Sequence, residues 1–130
     1  MTFKTPSVGY ADTGFLYKYQ NLIKLQMYAS GNPVVSLKIS QENICLSFFE
    51  CMSKEEFNKK VLSIHYPKEI LGDIVMQKVI FGGEQMVKKS NGFTQNIVKE
   101  GRYDIRYEVL NGVAFFHDTI NNITIKVEYL

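Results

Sequence analysis

Any chemistry in this chain has to start from two histidines, two cysteines and one carboxylate in apolar surroundings. His65 stands beside Tyr66-Pro67, and His117 falls on the polar side of a strand, opposite Arg106 and Lys126. Neither has a Cys, His or Asp at the spacing of metal ligands, so no metal site is expected. Asp118 interrupts an otherwise apolar face, and a carboxylate there is costly unless it finds donors. It comes just before Asn121-Asn122, near a sheet end and within reach of their amides, which reads as a structural role. The serines offer no nucleophile elbow. Gly82-Gly83-Glu84 lacks the later glycine and lysine of a phosphate loop. The pattern brings no base and nucleophile together, so the chain reads as non-catalytic, with no cofactor.

Cys45 and Cys51 lie six residues apart. Along a straight strand that separation is about 20 Å, far beyond disulfide reach. A bridge therefore needs the chain to reverse after Phe49, which a helix beginning at Ser53 allows. If the protein is exported, a Cys45–Cys51 disulfide and two free thiols stand as even alternatives, and in the cytosol two ordinary thiols are expected.

The chain has 130 residues, 45% hydrophobic and 22% charged, which is ordinary globular composition. A chain of this length buries roughly two thirds of its unfolded surface. Nine Phe and eight Tyr suit strands more than helices. The net charge of +2 is interleaved, and Lys59-Lys60 and Lys88-Lys89 are pairs rather than a stripe, so nucleic acid is not an expected partner. No apolar run approaches a membrane span, and no charged-then-apolar leader opens the chain. Residues 1–14 read as a flexible lead-in, and 15–130 as one β-rich domain.

The elements that must position these residues are mostly strands. From Tyr103 to Leu130 three strands form a meander, with two-residue turns at Asn111-Gly112 and Asn121-Asn122. Tyr107 then faces Phe116, which faces Val127; Val109 faces Ala114, which faces Tyr129. Arg106, His117 and Lys126 share the polar side, and a one-residue slip would reverse both faces. A second hairpin turns at Ser40–Asn43, with Ile39 facing Ile44, Leu37 facing Leu46 and Val35 facing Phe48. Phe15 to Tyr28 alternates as one long strand, with Phe15, Tyr17, Tyr19, Ile23, Leu25 and Met27 on one side. Ser53-Lys54-Glu55-Glu56 is a capping box for a helix to about Leu62. Tyr66-Pro67 starts a second helix, which Gly72 weakens or ends. Strand character resumes over Gln77 to Phe81, and the chain returns through Gln85 to Lys88.

The segments Cys45-Leu46-Ser47-Phe48-Phe49-Glu50-Cys51-Met52, Phe57-Asn58, Tyr66-Pro67-Lys68-Glu69-Ile70-Leu71, Asp104-Ile105-Arg106-Tyr107 and Phe116-His117-Asp118-Thr119 together carry a resemblance. In layout, residues 15–130 resemble small outer-membrane lipoproteins of epsilon-class proteobacteria. That resemblance implies an immunoglobulin-like β fold, or a half-barrel like that of the lipoprotein-localisation receptors. It also implies a lipidated cysteine upstream of the chain. The expected fold is mainly β: an antiparallel two-sheet β-sandwich, an immunoglobulin-like variant of about eight strands with a short two-helix insertion near 53–74. The alternative is an open half-barrel covered by the helices. The sandwich is preferred because two short helices are little material to cover a sheet, whereas two apolar sheet faces cover each other.

The expected function is a non-catalytic, exported, lipoprotein-type binding or assembly domain of the bacterial cell envelope. It sits on the periplasmic side or at the surface of the outer membrane. Its partner is another envelope protein, met on the surface around Arg106, His117 and Lys126, and a lipid anchor alone links it to the membrane. The alternative is a carrier for a lipid or acylated protein, with Tyr17, Tyr19, Phe57, Val61, Ile70 and Leu71 lining an apolar cavity.

Overall fold

A computed structural model describes residues 2–6, 9–11, 13–46 and 50–128. Twelve strands and two α-helices follow one another among these residues: β1 (Thr2–Thr5), β2 (Gly9–Ala11), β3 (Thr13–Tyr19), β4 (Leu22–Ala29), β5 (Asn32–Ile39), β6 (Asn43–Leu46), β7 (Glu50–Ser53), α1 (Lys54–Val61), α2 (Ile70–Val75), β8 (Met86–Lys89), β9 (Gly92–Lys99), β10 (Tyr103–Leu110), β11 (Val113–Asp118) and β12 (Ile123–Glu128). They form a seven-stranded sheet, β2-β1-β12-β11-β10-β9-β8, and a five-stranded sheet, β3-β4-β5-β6-β7. All pairings are antiparallel. The protein is therefore a mainly β, two-sheet sandwich, with neither sheet closed into a barrel. Each sheet is a meander of consecutive hairpins, apart from the β1–β12 pairing, and lacks the Greek-key path of immunoglobulin domains.

The core between the layers draws on both sheets and both helices: Leu25, Met27, Leu37 and Ile44 from one sheet, Tyr107, Phe116, Ile123 and Ile125 from the other, and Phe57, Leu71 and Ile74 from the helices. Side-chain parity explains this division. Along β10 the odd residues are buried and the even ones point outward.

The first hairpin of the meander has the expected register, with Tyr107 opposite Phe116 and Val109 opposite Ala114. Asn111 and Gly112 both have positive φ, as a tight two-residue turn requires. The second hairpin corrects the expectation by two residues: Phe116 lies opposite Ile125 and Ala114 opposite Val127. Its loop is Thr119–Asn122, because the Asp118 carboxylate accepts the Ile120 and Asn121 backbone N–H groups and shapes a wider turn. A shift of two keeps every side chain on its expected face. The Ser40–Asn43 hairpin pairs Ile39 with Ile44 and Leu37 with Leu46, as expected. The expected partners Phe48 and Tyr129 lie outside the described residues.

Three further expectations are corrected. The lead-in is a working part of the sheet: β1 pairs with β12, and Phe3 is 0% exposed. The long strand from Phe15 to Tyr28 is a hairpin turning at Gln20-Asn21, with Tyr19 opposite Leu22. This adds a strand and, with β1, β2 and β7, raises the count above eight. The stretch from Gln77 to Phe81 is no strand, and Gln77 and Phe81 both have positive φ. Its backbone is satisfied by the end of α2, at the Gln77 and Lys78 N–H groups, and by side chains from the seven-stranded sheet. Gln95 receives a bond from the Ile80 N–H and donates to the Ile80 and Glu84 carbonyls, while Tyr107 Oη donates to the Lys78 carbonyl.

The helical passage forms as its capping signals require. The Ser53 hydroxyl accepts the Glu56 N–H at 3.1 Å. Helix α2 starts one turn after Pro67 and runs past Gly72 to Val75. It packs on β11 and β12, so the helices and the five-stranded sheet together cover the inner face of the larger sheet.

Candidate functional site

Asp118 is fully buried, yet it is fully supplied with donors. Tyr66 Oη and Asn121 Nδ2 donate to Oδ2, and the Asp104, Ile120 and Asn121 N–H groups donate to Oδ1. Burial pushes its pKa up, but the bonds from Asn121, Tyr66 and Asp104 outweigh it and hold the carboxyl below its ordinary value. Burial, then the bond to Asp118, pushes the Tyr66 hydroxyl well above the usual tyrosine range. The Tyr66 ring also meets Phe116 edge-on at 5.8 Å. This pair therefore anchors the helical passage to the sheet end, which is a structural role.

The outer face of the seven-stranded sheet assembles the expected surface and enlarges it. Arg106 lies opposite His117, His117 opposite Thr124, and Thr124 opposite Lys4, one row across four strands. His117 Nδ1 is 2.9 Å from Thr124 Oγ1. Phe115 stacks beside His117 at 6.3 Å and lies opposite Lys126. Lys126 is thus in the neighbouring row rather than opposite His117, a consequence of the two-residue shift. Lys4, Thr5, Pro6, His117, Asn122 and Thr124 line an open recess of about 420 Å³. Among the described residues, no salt bridge ties up Arg106, Lys126 or Lys4. Sequence reasoning missed Lys4, because β1 was read as lead-in.

At one end of the sandwich a second cleft, of about 290 Å³, is lined by Lys18, Tyr19, Lys54, Glu69, Asp73 and Lys78, among others. The Lys54 side chain is only 8% exposed and donates to Glu69 Oε2 at 2.8 Å. A buried ammonium requires such a partner. Burial and the Glu69 charge push the Asp73 carboxyl up, against the pull of Lys78 and Lys54. The cleft draws on the tips of two hairpins and both helices, so no local motif announces it.

The six residues expected to line an apolar cavity do not share one. Phe57, Val61, Ile70 and Leu71 are packed in the core, at 0–5% exposure. Tyr17 and Tyr19 are on the opposite side of β3, 43% and 59% exposed, in line with Phe15 at 52%. The hairpin at Gln20-Asn21 is the reason, since a two-residue turn sends the odd residues of β3 outward and those of β4 inward. Phe15 also meets Tyr28 edge-on at 5.8 Å.

Cys45 lies opposite Cys51 in the β6–β7 hairpin, and a disulfide joins them. No group of three or more His, Cys, Asp or Glu among the described residues is placed to hold a metal ion. No helix among them is long and apolar enough to cross a membrane. Comparison with known proteins gives no match, whether to a family model, to a curated protein or to a solved structure.

Proposed function

We propose that this chain is a non-catalytic binding or assembly domain of the bacterial cell envelope, engaging another envelope protein through the outer face of its seven-stranded sheet. The observation that carries the reading is the outer-face group in which Phe115 lies between Lys126 and Glu108 and beside His117, with Arg106 and Lys4 in the row of His117. Among the described residues no salt bridge engages Arg106, Lys126 or Lys4, and such cations near an aromatic ring suit an acidic protein surface with an apolar centre. The Cys45–Cys51 disulfide supports an oxidising compartment. Attachment to a membrane would come through a lipid outside this chain. The carrier reading loses support, because four of its cavity residues fill the core and two face outward.

The test is photocrosslinking in cells from a probe at position 115, with a control probe at position 60 on the exposed side of α1. One discrete product specific to position 115, lost on combining Arg106→Glu with Lys126→Glu, is the expected result. Identical products from both positions, or a product indifferent to the charge reversals, would overturn the proposal.

A further inference from the structure

We propose that two copies of this chain associate edge to edge through β3, antiparallel and centred on Tyr17. The proposal uses a different face from the one described above and stands or falls independently of it.

Among the described residues the two sheets end in four edge strands, and these are unequal. β2 has three residues, β7 has four, and β8 has four ending in Lys88-Lys89. Short strands and edge lysines are how proteins normally close an edge to pairing. β3 has seven residues, with no proline, and carries the exposed row Phe15, Tyr17, Tyr19. An unpaired strand with a greasy face is a template for another strand.

The row is self-complementary about its middle. Antiparallel pairing centred on Tyr17 sets Tyr17 against its own copy and Phe15 against Tyr19, twice by symmetry. All three cross-strand pairs on that face are then aromatic. The inner side of β3 supports the same register. Lys18 falls opposite Leu16, so its charge meets an apolar side chain. Moving the centre one residue to Lys18 would oppose two ammonium groups, and moving it to Leu16 would leave Tyr19 facing Thr13. The inward lysine thus selects one register rather than closing the edge.

Charge opposes the pairing only weakly, the two copies of Lys18 being diagonal at about 8 Å, close to the Debye length. Lys24 lies opposite Tyr17 within the chain, and Lys38 lies opposite Lys24. In the pair, the two copies of Lys24 are three strand spacings apart, about 14 Å. That exceeds the Debye length of roughly 8 Å at physiological salt. Each lysine instead flanks a tyrosine pair, where a cation is favourable. A single strand edge is a small interface, so the dimer belongs to the weak, concentration-dependent class.

Sedimentation equilibrium of the intact protein from about 10 µM to about 1 mM, the range in which weak interfaces populate, should show a reversible dimer. Tyr17→Lys should weaken it at least tenfold without changing the melting temperature. Under mild oxidation Tyr17→Cys should crosslink to itself. Phe15→Cys should crosslink when mixed with Tyr19→Cys, while Tyr19→Cys alone should not, its two copies being about 13 Å apart along the strands. A monomer throughout the range, including one that retains another ligand on this face, would overturn the proposal. So would a dimer indifferent to Tyr17→Lys, or crosslinking equal at all positions.

Discussion

Asp118 shows how far a single residue type can be read. Its discordance on an apolar face was visible in the alternation, and so was a structural role close to Asn121. Tyr66 was not visible as its partner, because that donor comes from a chain segment 52 residues away. The arrangement has a consequence for acid stability. The folded-state carboxyl titrates below its ordinary value of about 3.9. Its contribution is therefore complete above that value and is lost as pH falls through the lower, folded value. Asp118→Asn turns one oxygen into a donor facing the donors of Tyr66 and Asn121, and should cost about 2–4 kcal/mol at neutral pH. Denaturant melts of both proteins across the acid range should show that gap steady above about pH 5 and narrowing below about pH 4.

The strands divide into those whose turns carry a signature and those whose turns do not. Asn111-Gly112 announces a positive-φ turn, so the β10–β11 register was legible. Gln20-Asn21 contains no glycine, and alternation continues across it, which hid the hairpin and reversed the inferred side of Tyr17 and Tyr19. The Gln77–Phe81 stretch reads as a strand because Val79-Ile80-Phe81 is a short run of strand-favouring residues. Its backbone also bonds to Gln95 and Tyr107, whose sequence positions say nothing of that pairing. The cleft around Lys54, Glu69 and Asp73 was illegible for the same reason, being assembled from several elements. The β6–β7 hairpin gives the element-scale prediction. Its disulfide closes a loop of only a few residues, so replacing both Cys45 and Cys51 with serine should lower stability by about 2 kcal/mol. Calorimetry should register a melting temperature lower by several degrees, and the native protein should show no titratable thiol after unfolding without reductant.

At the scale of the whole molecule, the seven-stranded sheet depends on a segment that composition gave no reason to include. Phe3 is sealed beneath it, and β1 covers the flank of β12. Phe3→Ala should therefore cost about 3–5 kcal/mol, the loss typical of a large ring removed from a packed core. An effect under 1 kcal/mol in chemical denaturation would mean that the segment is not part of the fold. The same pairing sets an order of events. β1 is made early, but its partner β12 follows more than a hundred residues later. While the chain is being made, β3 to β7 can close by local hairpins, whereas β1 has only the three-residue β2 to join. Contacts of such long separation form slowly and late. The larger sheet is thus completed only once β12 is available, and until then the facing edges of β1 and β12 both stand open to a stray strand of another chain.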